Sequence, residues 1–150
     1  MMNLEGWSEI DKSEIPEYSF RLDKDVSRDN LKARKNRWAL AFEVIPKPRK
    51  PWYDKLKNVI EKYQLENSWE RGKSESDRDY IIFYTDYAGN KDEMVDKLKR
   101  FKEECREILS QANKAFREEK IKELKKEKQR QARVQEQKQI ISEVLREIDD

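Results

Sequence analysis

All four Trp, six Tyr and five Phe of this 150-residue chain lie before residue 117, and that segregation limits the possible fold more than any other feature. Aromatic rings bury the large apolar areas from which a core is built. A chain that confines them to its first 116 residues can assemble one modest hydrophobic centre there and none beyond it. The stretch from Arg117 to Gln139 has the opposite character. It holds nine bases, five acids and five Gln, with only Ile121, Leu124, Ala132 and Val134 as apolar members. Apolar residues then return as Ile140, Ile141, Val144, Leu145 and Ile148, at i, i+1, i+4, i+5 and i+8, which is one face of a short helix.

Three segments follow from this pattern: an acidic arm over 1–17, an α+β head over 18–116, and a charged helical extension over 117–150 that ends in an amphipathic segment. In the arm, Trp7, Ile10 and Ile15 are scattered, and Pro16 discourages helix through that point. The head opens with alternation at Tyr18, Phe20 and Leu22, a short strand. A basic connector, Lys24 to Arg37, leads to a stronger one. Over 37–45, Trp38, Leu40, Phe42 and Val44 fall on one face, and Arg37, Ala39, Ala41, Glu43 and Ile45 on the other, which predicts a half-buried strand. Pro46, Pro48 and Pro51 end it, and Pro51 suits the first position of a helix because its φ is already helical. Trp52, Leu56, Val59, Ile60 and Tyr63 then recur at helical spacing.

A weaker strand near Asn67 to Arg71 precedes a polar turn through Gly72, Ser74 and Ser76. Tyr80 to Thr85 is apolar, β-branched and aromatic but too short for a helix, so it reads as a central strand. Asn90 with Glu93 forms an Asn version of the capping box, and Met94, Leu98, Phe101, Cys105, Ile108, Ala112 and Ala115 form the stripe of the helix it starts. The order is strand, strand, helix, strand, strand, helix. It predicts a small antiparallel or mixed four-stranded sheet in a permuted ferredoxin-like arrangement, with the first strand beside 37–45. The extension contains no Gly or Pro, and pairs such as Glu118 with Lys122 favour helix through it. A helix unbroken from Lys91 to Asp150 would run roughly 90 Å at about 1.5 Å per residue, while the polar composition of 117–139 makes disorder the competing expectation.

Charged residues make up 44% of the chain, yet 34 bases against 32 acids leave a net charge of only +2. Global charge therefore says little about partners, and local charge says more. Residues 1–23 hold six acids and two bases; residues 24–50 hold nine bases and three acids. One cysteine cannot form an internal disulfide, in keeping with a reducing compartment. No stretch approaches the roughly 18 apolar residues that span a bilayer, and Met-Met-Asn-Leu-Glu-Gly lacks a basic flank followed by an apolar run. With a mean hydropathy of −1.21, a cytoplasmic protein is expected.

Catalytic chemistry has little to work with. Without histidine the commonest general base and transition-metal ligand are missing, and one Cys excludes a thiolate-built zinc site. Glu103, Glu104 and Glu107 cluster but are interleaved with Lys99, Lys102 and Arg106, the pattern of a solvated mixed-charge face. Asp23 with Asp25, and Asp77 with Asp79, stand where turns need them, with magnesium binding the minor alternative. Cys105 sits on an apolar stripe as a small hydrophobe. Glycines at only 6, 72 and 89 cannot assemble a phosphate-cradling loop. Neither enzyme activity nor a cofactor is expected.

Two surfaces remain. The stripe Ile140, Ile141, Val144, Leu145 and Ile148 asks for a protein partner or a second copy, unless it folds back on the helix around Met94 to Ala115. Membrane insertion is disfavoured because Glu143, Glu147, Asp149 and Asp150 outnumber Lys138 and Arg146 there. The alternative is a nucleic-acid-binding rim. If the connector before 37–45 and the turn between the last two strands share one end of the sheet, they gather Arg28, Lys32, Arg34, Lys35, Arg37, Arg71, Lys73 and Arg78, although acids in the same loops dilute that field.

Overall fold

The computed structural model describes residues 15–32, 35–74, 76–87 and 89–149. Most of the expected arm, residues 1–14, lies outside them. The chain divides into two compact units, one of which is Pro16–Phe116. It contains β1 (Ser19–Asp23), α1 (Lys24–Asp29), β2 (Arg37–Ile45), α2 (Lys50–Tyr63), β3 (Asn67–Glu70), β4 (Asp79–Asp86) and the first part of α3 (Lys91–Asp149). The architecture is α+β, with a four-stranded antiparallel sheet and a long C-terminal helix.

The strands lie in the order β1-β2-β4-β3. β2 pairs with β1 through Phe20 opposite Val44 and Leu22 opposite Phe42, and with β4 from Arg37 opposite Asp86 to Val44 opposite Asp79. β3 pairs with β4 from Asn67 opposite Phe83 to Glu70 opposite Tyr80. Because β2 and β3 are both antiparallel to β4, they run the same way with β4 between them, and α2 carries the chain from one to the other.

The alternation of β2 and β4 decides what lies on each face. Leu40, Phe42, Val44, Ile81 and Phe83 are buried, with Phe42 and Phe83 edge to face at 6.1 Å. Trp52, Leu56, Val59 and Ile60 of α2 and Phe101, Cys105, Ile108, Leu109 and Ala112 of α3 are buried as well. Polar contacts fix this layer. Trp52 Nε1 donates to Asn113 Oδ1 at 2.8 Å, and Asn113 Nδ2 donates to the Tyr18 carbonyl at 2.8 Å, so one amide ties α2, α3 and the approach to β1. Tyr18 packs its ring on both Trp52 and Phe116. Each large side chain fully buried in this way contributes about 1.5–3 kcal/mol.

The second face differs from the sequence expectation. β2 was expected to be half-buried, yet residues 39–44 are buried on both sides. The reason is α1, a helix that the reading of 24–37 as a basic connector did not include. Ala39, Ala41, Ile82 and Tyr84 form a second apolar cluster, and Val26 of α1 packs against it. The two alanines leave room for a helix to approach. Asp23 caps α1 by accepting from the Val26 N–H at 3.0 Å, and Ser27 Oγ accepts from the Ala41 N–H at 2.8 Å while donating to the Asp23 carbonyl at 2.6 Å. At the start of α3, Asn90 Oδ1 accepts from the Glu93 N–H at 3.0 Å, half of the expected box, and the return contact runs from Asn90 Nδ2 to Glu93 Oε1 at 3.5 Å.

Candidate functional site

The residues screened for catalysis have structural occupations. Cys105 is fully buried, and burial pushes its thiol pKa well above the usual range, away from nucleophilic use. Glu103, Glu104 and Glu107 are exposed, and Glu107 accepts from Gln111. Asp23 caps α1, and Asp25 pairs with Arg28 at 3.6 Å. Asp77 accepts from the N–H groups of Lys73 and Ser74, which hold its carboxyl below the usual carboxylate range. Among the described residues, no group of three or more acidic or Cys side chains is placed to hold a metal ion.

Asp79 is the buried acidic side chain that the turn reading missed. Its carboxylate accepts from Tyr53 Oη at 2.5 Å and from the Gly72 N–H at 2.8 Å, with Lys47 Nζ 3.6 Å away. Lys47 also donates to the carbonyls of Gly72 and Ser74. Burial and the adjacent Asp79 raise the Tyr53 pKa, and Arg71 lies over the Tyr53 ring at 4.3 Å. The loop between β3 and β4 is thus locked to α2 and to the segment after β2. A Cβ on Gly72 would meet the Asp77 Cβ at 2.3 Å, so the lock needs glycine there. Partners this far apart in sequence leave no local pattern.

The expected basic rim is not assembled. Arg37 sits opposite Asp86 and Val44 opposite Asp79, so the connector before β2 and the turn before β4 lie at opposite ends of the paired strands. They are roughly 24 Å apart at about 3.4 Å per residue. The sequence expectation puts both at one end, but an antiparallel β4 begins beside the end of β2, not its start. Near the start of β2, Lys32 and Arg37 both reach Glu66 at 3.0 Å, and Arg37 also reaches Asp86 at 2.7 Å. Lys32 lies over the Tyr84 ring at 4.2 Å, Arg28 pairs with Asp25 and Asp29, and Lys35 is exposed. At the other end are Arg71, an exposed Lys73, and Arg78, which pairs with Glu43 at 3.4 Å. Arg34 lies outside the described residues.

The terminal part of α3 belongs to the other compact unit. Here the helix is continuous through Asp149, which decides between the two expectations for 117–139 in favour of helix. Ion pairs along one turn support it: Lys120 with Glu123 at 3.2 Å, and Arg130 with Glu127 at 2.6 Å. Ile140, Ile141, Val144, Leu145 and Ile148 are all exposed, from 47% for Val144 to 73% for Ile148. At about 100° per residue they span an arc of roughly 140°. Glu143 and Arg146 point away from that arc, so it is an apolar strip with a charged back. Such a strip can receive the apolar face of another helix or a groove; it carries no group able to do covalent chemistry.

No protein family, curated protein or solved structure matches this chain. No helix among the described residues is long and apolar enough to cross a membrane.

Proposed function

We propose that this chain is a non-enzymatic interaction protein, an adaptor or inhibitor of a larger protein or complex, that docks through Ile140, Ile141, Val144, Leu145 and Ile148. The observation that carries this reading is the exposure of all five on one helical face, while the aromatic side chains of Pro16–Phe116 supply a core of their own. Burying the exposed half of five such side chains is worth on the order of 5 kcal/mol before the costs of association. The partner's own apolar face has to add a comparable amount to offset those costs. A cytoplasmic setting belongs to this reading, because the lone thiol is reduced and packed. The head is a permuted ferredoxin-like unit in the same reading, supported by α2 crossing between two strands that flank β4.

The nucleic-acid alternative is the less favoured reading, since its basic residues stand at two ends of the paired strands and Arg28, Lys32, Arg37 and Arg78 face carboxylates. Removal of residues 138–150 tests the docking proposal. Partner capture by the full chain from its native host, after nuclease treatment, should vanish in the shortened chain and persist in Lys35→Glu. Capture that survives the deletion, or that nuclease abolishes, contradicts it.

A further inference from the structure

Resting on the docking role just described, we infer that the occupant of the terminal strip is a second copy of this chain, paired antiparallel along residues 128–149. Val134, Ile141 and Ile148 recur at intervals of seven, with Val144 three positions after Ile141. These are the a and d positions of a two-helix seam, and all four side chains are exposed. Ile140 and Leu145 flank the seam and widen it. Arg130 and Gln137 fill the other d positions between 128 and 149, polar sites of the kind that weaken a helix pair and restrict its register.

Charge decides the direction. Residues 128–139 carry Lys128, Arg130, Arg133 and Lys138 against Glu136 alone, whereas 140–149 carry Glu143, Glu147 and Asp149 against Arg146. A parallel pair would set the acidic end of each copy on the acidic end of the other, and base on base. The antiparallel pair sets each acidic end on the basic stretch of its partner. A segment basic in one half and acidic in the other is its own electrostatic complement, and such complementarity selects orientation more than it adds affinity.

The test is the mass of the full chain by light scattering over a dilution series at low salt. The mass should rise from 18.3 kDa toward twice that value as concentration increases. Ile141→Glu, placed on an exposed position, should hold it at one chain throughout. Reversing the acidic end with Glu147→Lys and Asp149→Lys should raise the dissociation constant about tenfold, as expected for several exposed charge pairs. Mixing that chain with one carrying Arg133→Glu and Lys138→Glu should restore the dimer. A single-chain mass at every concentration would overturn the second copy as occupant. The docking role would then still be judged by capture with and without residues 138–150. A dimer that survives Ile141→Glu would overturn the seam, and one that tightens on reversal of the acidic end would overturn the antiparallel direction.

Discussion

Ile108 and Ile148 are the same residue on the same helix, forty positions apart, yet Ile108 is 0% exposed and Ile148 is 73% exposed. Helical periodicity alone does not separate them, because both lie on clean apolar stripes. What separates them is supply. The segment around Ile108 shares its unit with a sheet and α2, whose rings and branched side chains bury it. The segment around Ile148 follows a stretch, 117–139, in which charged residues and Gln leave room for only four apolar side chains. An apolar stripe is a core when the chain provides a second apolar layer, and an interface when it does not.

Substitutions can break or sharpen this contrast. The largest loss belongs to the first unit. Trp52→Ala removes a fully buried ring and its bond to Asn113, and should cost about 3–5 kcal/mol in urea unfolding. Ile108→Ala should cost about 2–5 kcal/mol by the same measurement. Tyr53→Phe leaves buried Asp79 without its hydroxyl donor and should cost about 1–3 kcal/mol.

Asp23→Ala should cost about 1 kcal/mol through loss of the α1 cap. The Val26 N–H holds the Asp23 carboxyl below the usual carboxylate range. Its contribution is therefore present above about pH 4 and is lost as pH falls through the lowered value. Unfolding measured from pH 6 down to pH 2 should show Asp23→Ala converging on the unaltered chain at the acid end. The smallest effect is Ile148→Ala, within about 0.5 kcal/mol of the unaltered chain, because little is buried there to lose.

Much of this contrast was legible in the sequence. Alternation placed β2 at 37–45, where the structure has it, and the 3.6-residue period located α2 and the buried side of α3. The terminal stripe was legible for the same reason. The rest depended on pairing that no local window contains. α1 is only six residues, held by one Asp cap and a Ser that bonds across to β2, so its apolar signal reduces to Val26. The second buried face of β2 looked exposed because two alanines were read without the helix that covers them. The basic rim failed on strand direction: composition showed the bases, and only the antiparallel register showed that they stand at opposite ends, beside Glu66, Asp86 and Glu43.

Trp38, Trp52 and Trp69 lie in Pro16–Phe116 and Trp7 does not, so with Trp7→Phe in both chains compared the fluorescence reports on that unit alone. Thermal unfolding of the full chain and of a chain ending at Gln137 should give the same fluorescence midpoint, with partner capture and any dimer lost only in the shorter chain. A midpoint lowered by several degrees, with capture retained, would show that the terminal stripe serves the protein's own stability and not a docking contact.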